Sequence, residues 1–433
     1  MLIRILYLIL IHVAAPIVWV VTAVRGIKDR SYWDRLPERL GYTRLQFALS
    51  PLWIHAASVG EVQAATPLIR YLLAHYTSRP LLITTVTPTG AARVHSLFSG
   101  GSNLDRASQA RHAFLPYDTP LAVHRFLNRI NPHCLIIMET ELWPTLLSAC
   151  ARRNIPVVLG SARISSRTAM RYAALRSLFA RGLARARVGA QTTIDAERFQ
   201  SLGVPTDHVQ VTGNLKFDIE IAADISHAGK QFREHALHDR PVWTAGSTHE
   251  GEEQLVLVAH QLVLKTIPEA LLIIAPRHPQ RFAQVTAMLR AANVSFVTRS
   301  STATLSAGNT VLLIDTLGEL TQFYAASDIA FVGGSLVPVG GHNLLEPAAL
   351  SLPVLSGPYT FNAPDIAQQL SDGAGLRYVY SSDELGAVLV ELFSDDSMRV
   401  KQGNAALAVL KESKGALARL IALIEAHCRL NNY

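Results

Sequence analysis

Short runs of isoleucine, valine and leucine, separated by amphipathic stretches, recur along this chain in two successive series. The first series predicts strands over Leu52–Ala56, Leu81–Val86, His133–Met138, Ile155–Leu159 and Val209–Val211. Helices are expected between them over Val62–His75, Leu121–Ile130, Leu142–Arg153 and Ser166–Ala184. The second predicts strands over Val242–Ala245, Leu271–Ala275, Val311–Ile314, Ile329–Val332 and Pro353–Leu355, with helices over Glu253–Thr266, Pro279–Ala292 and Leu344–Leu350. Strands joined through helices are parallel, and sheets covered on both faces read as continuous apolar runs rather than alternating ones. At 433 residues the chain exceeds one ordinary core, so the expectation is an α/β protein of two Rossmann-like domains facing across a cleft. The first domain is expected over residues 25–220, a polar linker over 221–240, and the second domain over 241–433. That last span includes terminal helices over Ser397–Glu412 and Gly415–Arg429.

Residues 5–24 carry no formal charge, enough helix for the ~30 Å of a bilayer core. No small-residue cleavage site follows them, and Arg25, Lys28, Arg30, Arg35 and Arg39 come immediately after. Residues 1–24 therefore read as an uncleaved membrane anchor, with the body held on the cytoplasmic side by its basic flank. His12 and Pro16 interrupt the run, so a helix lying in one leaflet stays open beside a full span. A net charge of +7 favours anionic partners. No acidic residue occurs between Glu141 and Asp195, where arginines stand at 152, 153, 163, 167, 171, 176, 181, 185 and 187. Apolar Met170, Leu178, Phe179 and Leu183 interleave with them, a pattern suited to anionic membrane lipids. Aromatic residues are few and no recognition motif accompanies the run, which argues against nucleic acid. Cysteines 134, 150 and 428 form no C-x-x-C pair, so a disulfide framework or zinc site is not expected, and a reducing compartment fits them.

Ligands of open parallel sheets sit beyond the carboxyl ends of the strands, which directs attention to the loops there. The run Phe331 to Leu350, with glycines at 333, 334, 340 and 341, would let backbone approach a ligand. Asn343 would cap the helix that follows, its free amides would attract a phosphate, and Glu346 would reach ribose hydroxyls. In the first series, Glu61 follows a Ser-Val-Gly turn and can serve as general base or as a helix-start carboxylate. Glu139 and Glu141 end another strand in Met-Glu-Thr-Glu-Leu-Trp-Pro, and Lys216 in Leu-Lys-Phe-Asp could balance a leaving phosphate. Arg277, in Pro276-Arg-His-Pro, offers a fork for phosphate or base. Gly318 and Glu319, after Leu317, could bracket a nucleobase, and Gly246-Ser-Thr-His-Glu-Gly-Glu-Glu253 is another anion-friendly turn. The histidines make no metal-ligand spacing, and neither H-E-x-x-H nor D-x-D occurs, so no metal site and no cofactor are expected.

Taken in order, these segments closely resemble the Kdo (3-deoxy-D-manno-octulosonic acid) transferases of Gram-negative bacteria. The resemblance covers essentially the whole chain: S-V-G-E at 58–61, M-E-T-E-L-W-P at 138–144, L-K-F-D at 215–218, S-T-H-E-G-E-E at 247–253, P-R-H-P at 276–279, and F-V-G-G-S-L followed by G-G-H-N-x-L-E. It implies an inverting, metal-independent glycosyltransferase of the GT-B fold that moves one or more Kdo units from CMP-Kdo to the lipid A precursor lipid IVA, at the cytoplasmic face of the inner membrane. By the same resemblance, Glu61 corresponds to the proton acceptor, and Glu139 and Lys216 to positions that stabilise the transition state. Pro276 and Arg277, the Leu317-Gly318-Glu319 turn, and Asn343, Leu344, Leu345 and Glu346 correspond to the CMP-binding segments. Leu317 and Leu344 depart from other members, which leaves backbone contacts as their contribution. Two rivals stand beside this reading: an anchored module that binds nucleotide sugar or lipid A without turnover, and a nucleotide-sugar epimerase, which needs no anchor.

Overall fold

A computed structural model describes residues 2–98, 110–301 and 303–430. The chain divides into two compact units, Met1–Asp218 with Lys414–Tyr433, and Ile219–Ser413. Each is built on a seven-stranded sheet in which every pairing is parallel.

In the first unit the strands are β1 (Leu52–His55), β2 (Leu81–Thr85), β3 (Ala110–Phe114), β4 (Cys134–Met138), β5 (Val157–Ala162), β6 (Arg187–Ala190) and β7 (Val209–Val211). Their order is β3-β2-β1-β4-β5-β6-β7. The chain winds outward from β1 in one direction and from β4 in the other, so the switch in winding falls between those two strands. Leu52, Trp53 and Ile54 are fully covered because both faces of the sheet carry helices. Trp53 packs on Phe126 with ring centroids 5.1 Å apart, and its indole N–H donates to the Thr84 hydroxyl at 2.8 Å.

The second unit repeats the plan with β8 (Val242–Thr248), β9 (Leu271–Pro276), β10 (Phe296–Thr298), β11 (Val311–Leu313), β12 (Ile329–Val332), β13 (Val354–Ser356) and β14 (Leu376–Tyr378). The order is β10-β11-β9-β8-β12-β13-β14, which puts β8 at the switch, with β9 on one side and β12 on the other. Trp243, Ile274, Phe331 and Leu355 fill its core.

Several expectations need correction. The last helix, Ala416–Cys428, belongs to the first unit rather than the second: Leu420 and Ile424 lie in one buried cluster with Leu52 and Ile54. Glycines on β5 and β6 make this possible, since a Cβ on Gly160 or Gly189 would stand 3.1 or 3.2 Å from a Leu420 methyl. Asp218, the end of the Leu-Lys-Phe-Asp segment, holds the start of that helix by accepting the amides of Gly415, at 2.7 Å, and Leu417. The span 221–240 is not a linker, because a helix over Ala223–Phe232 packs on the helix Leu320–Ala325. There, a Cβ on Gly229 would stand 2.5 Å from the Gln322 carbonyl, and Arg233 bonds Asp328 at 3.1 Å. The long helix expected over Ser166–Ala184 breaks at Leu175 into Ser166–Ala174 and Arg176–Leu183.

The N-terminal helix runs Leu2–Lys28, yet among the described residues no helix is long and apolar enough to cross a membrane. It lies against its own domain: the Tyr7 hydroxyl donates to buried Asp118 at 2.7 Å. The outer side stays apolar, with Ile3, Leu6, Leu10, Val13, Val20, Val24 and Ile27 exposed at intervals of three, four and seven residues.

Candidate active site

The switch in winding of the first sheet brings the loops after β1 and β4 side by side, and these loops carry Glu61, Glu139 and Glu141. Ser58 opens the helix Val59–His75, its hydroxyl accepting the Glu61 amide at 3.4 Å. The Glu61 carboxylate turns back over that turn, accepting the Ala57 amide at 2.8 Å and the Ser58 hydroxyl at 3.0 Å, a variant of the capping box. Burial raises the Glu61 pKa most; the carboxylates of Glu141 and Glu139 raise it further, while the Ala57 amide and His55 pull it down. A half-buried carboxylate held in one rotamer, with its proton affinity increased, suits a general base.

Glu139 sits at φ +54°, a left-handed conformation a glutamate adopts only at a cost of about 1–3 kcal/mol. Its amide donates to the Gly160 carbonyl at 3.0 Å, and its carboxylate meets the Lys216 ammonium at 3.0 Å and the Arg163 guanidinium at 3.9 Å. Lys216 reaches it because Asn214 caps the short turn Leu215–Phe217, accepting the Lys216 amide at 3.0 Å. The structure thus brings together all three residues expected on this side and fixes two of them as a pair.

Sequence reasoning missed His55. Its ring is fully buried at the end of β1, with Nδ1 3.0 Å from the Thr84 hydroxyl and 3.2 Å from the Thr84 carbonyl. Nε2 has no hydrogen-bond partner and stands 3.9 Å from Glu141, which also accepts the Trp143 indole N–H at 3.0 Å. Although burial alone would raise the Glu141 pKa, His55 and Trp143 outweigh it and hold the pKa below the usual range. His55 lowers the proton affinity of both carboxylates around it, Glu141 most, where it leads the effects that oppose burial. Replacing it with glutamine should therefore raise the Glu61 pKa and move the acid limb of kcat/KM to higher pH in a folded protein. A limb that stays in place, read from a full pH profile, would reduce His55 to core packing.

On the second unit, the loops after β8 and β12 meet at the other switch, and here the glycine-rich run has a structural role as well. Its amides do not face an empty cradle. The Gly334, Ser335 and Leu336 amides donate to the carboxylate of Glu252 at 2.6, 2.9 and 2.9 Å, and the Gly340 and Gly341 amides donate to the Gly334 carbonyl. Glu252 is fully buried and accepts the His249 amide as well, at 3.2 Å. The anion that the loop attracts is the chain's own. The glycine at 333 is needed for this, since a Cβ there would stand 2.7 Å from the Glu252 carboxylate.

The expected CMP segments surround that loop in part through backbone. Leu344 and Leu345 are buried, leaving only their main chain for a ligand. The helix begins at Leu345 and is five residues long, too short for a sizeable dipole; Asn343 caps it from outside, accepting the Leu345 amide at 3.1 Å. Asn343 also donates to Glu346 at 2.9 Å, and Thr321 donates to the second Glu346 oxygen at 3.3 Å. Burial raises the Glu346 pKa, opposed by those two donors and by Arg277. Arg277 is exposed at the end of β9, following Pro276, with its amide on the Thr248 carbonyl at 3.0 Å. Glu319 is engaged by Arg299 at 2.8 Å and by Thr316; these outweigh burial and lower its pKa. Exposed Leu317 and Gly318, at φ +86° with open space around it, present bare backbone. Among the described residues no cluster of histidine, cysteine and carboxylate side chains could hold a metal ion.

Two parallel-sheet Rossmann-like domains, each with candidate site residues at the switch of its sheet, define a GT-B-like fold. The fold is shared, at TM-score 0.58 and 16% identity over 87% of this chain and 100% of the other, by the UDP-GlcNAc 2-epimerase of Neisseria meningitidis solved with UDP-GlcNAc. The 3-deoxy-D-manno-octulosonic-acid transferase (kdotransferase) family model matches residues 34–219. A 3-deoxy-D-manno-octulosonic acid transferase of Haemophilus influenzae is 38% identical over 99% of each chain, and one of Bordetella pertussis is 37% identical over 95% of this chain and 96% of its own. The chain belongs to the Kdo transferase family.

Proposed function

We propose that this protein transfers Kdo from CMP-Kdo to the lipid A precursor lipid IVA, adding one or more units with inversion and without a metal. The observation that carries the reading is Glu61, a half-buried carboxylate of raised pKa at the switch of the first sheet. The acceptor hydroxyl loses its proton to Glu61 as its oxygen bonds the anomeric carbon. The bond from that carbon to the donor's phosphate breaks, and CMP leaves with the electron pair. Lys216, oriented by Glu139, supplies positive charge as the transition state develops. Pro276, Arg277, the 317–319 turn and residues 343–346 hold CMP. With purified protein in EDTA, CMP release from CMP-Kdo should require lipid IVA and consume it. Release without acceptor would mean transfer to water and contradict the acceptor assignment; CMP-Kdo binding with no turnover would favour a binding module instead.

The setting is the cytoplasmic face of the inner membrane, with anionic lipids as partners. The first helix supports this with its exposed apolar stripe, as do exposed Arg167, Arg171, Arg176 and Arg181 and exposed Met170. This makes the anchor an interfacial helix rather than a span. The triple change Leu6→Ser, Leu10→Ser and Val13→Ser should abolish sedimentation with anionic vesicles at high salt while kcat on detergent-solubilised acceptor is retained. Undiminished sedimentation would place membrane binding elsewhere.

A further inference from the structure

The family resemblance assigns no role to His249 or His342, and the sequence places phosphate on the helix-start amides after Asn343, with the glycines only letting backbone approach. The amides of Gly334, Ser335, Leu336, Gly340 and Gly341 are occupied, so at that part of the loop an oxyanion meets side chains. Two imidazoles stand there. The Nε2 atoms of His249 and His342 are 2.7 Å apart, with rings nearly parallel, 5° between planes and 5.0 Å between centroids. At that distance one nitrogen must donate and the other accept, so one N–H proton lies between the two Nε2 atoms. Gly334 makes room for the arrangement, because a Cβ there would stand 3.0 Å from the His342 ring and 3.3 Å from that of His249. Both rings are half-buried and so remain within reach of solvent.

We propose that His249 and His342, with Arg277 beside them, form an oxyanion-binding imidazole pair that takes the phosphate of the nucleotide donor. The inference rests on the donor being a nucleotide sugar, as proposed above.

The charges around the pair support it. Arg277, Arg281 and the His278 ring, edge-on at 5.2 Å, face His249, and Arg277 and His278 face His342. The nearby carboxylates are already engaged: Glu252 by backbone amides, Glu253 and Glu250 by Arg281 at 3.1 and 3.4 Å. Burial, joined by these cations, keeps the His249 pKa below its usual value and lowers that of His342 to about 4. The pair is therefore neutral at pH 7 while no anion is bound. A bound phosphate raises both pKa values and draws one further proton onto the neutral pair, so binding is coupled to proton uptake. The site gains positive charge only when an anion is present, and loses it again when the nucleotide departs.

Titration calorimetry with CMP and with cytidine, on wild type, His249→Gln, His342→Gln and His342→Asn, tests this. Each variant should bind CMP about ten- to a hundredfold more weakly, as loss of a charged hydrogen bond predicts, with cytidine affinity unchanged. Proton uptake on CMP binding, read from the dependence of the heat on buffer ionisation, should exceed that of the variants. The double variant His249→Gln with His342→Gln, measured alongside, should be no worse than either single one, since the two rings act as a unit. CMP affinity equal to wild type in all variants, or CMP and cytidine weakened by the same factor, would overturn the proposal. A wild-type protein that prefers another nucleoside monophosphate, with that preference for phosphate lost in the variants, would sink the CMP-Kdo assignment and leave the imidazole pair standing.

Discussion

Glu61→Gln should lower kcat by about 10²–10⁴, the usual worth of a general base, while CMP affinity and thermal stability stay near wild type. The substitution separates chemistry from structure because glutamine is the other residue that completes a capping box. Its carbonyl oxygen can still accept the Ala57 amide, which Glu61 now accepts at 2.8 Å, so the start of the helix Val59–His75 is kept. What it cannot do is take a proton from an alcohol. The wild-type pH profile provides a second check. Burial and two neighbouring carboxylates raise the Glu61 pKa, so the acid limb of kcat/KM lies above the range of an ordinary solvated carboxylate, near 4.3. Activity falls as pH drops through that raised pKa, because the base is then protonated. Near-normal kcat in the glutamine variant would make Glu61 a helix-start residue and direct attention to Glu139 and Glu141.

Glu252→Ala should destabilise the second domain by about 3–5 kcal/mol, since it strands buried donors that have no other partner. Four amides converge on this carboxylate, from Gly334, Ser335, Leu336 and His249. Burial pushes the Glu252 pKa up, and the four donors oppose that push. Chemical denaturation of the full chain should show the second domain unfolding earlier, and donor binding should fall with it, because His249 and the 333–342 loop lose their common anchor. Glu252→Gln should also destabilise, since its NH₂ group would face amides that need an acceptor. A loss under about 1 kcal/mol for the alanine variant would mean that solvent satisfies those amides and that the carboxylate is not what shapes the loop.

Much of the architecture could be read from the sequence because it rests on strong local signals. β1, β4, β9 and β12 are short apolar runs flanked by helical periodicity, and they appear within a residue or two of their expected places. The strands that escaped notice lack that signal. β3 carries Arg111 and His112, β10 and β14 are three residues long, and β6 starts at an arginine. The return of the final helix to the first unit depends on contacts between residues far apart in sequence. Asp218 with Gly415, and Gly160 with Leu420, leave no periodic trace.

The site shows the same division. Glu61, Glu139 and Lys216 stand in short, distinctive segments at strand ends, and the structure brings them to one sheet edge. His55 lies inside an apolar strand, where a buried histidine looks like core until its orphaned Nε2 is seen opposite Glu141. The glycine-rich run is legible, but the burial of a carboxylate within it is not. Whether loop amides face a ligand or a carboxylate from a preceding helix depends on the tertiary placement of Glu252, 82 residues upstream of Gly334.

The most direct test of the account is mass spectrometry of the lipid recovered after purified protein acts on lipid IVA and CMP-Kdo. Wild-type enzyme should yield lipid IVA carrying one or more Kdo residues, with free CMP in matching amount, and Glu61→Gln should leave the lipid almost unmodified over the same interval. Unmodified lipid with wild-type protein, or Kdo released to water while lipid IVA stays unchanged, would contradict it.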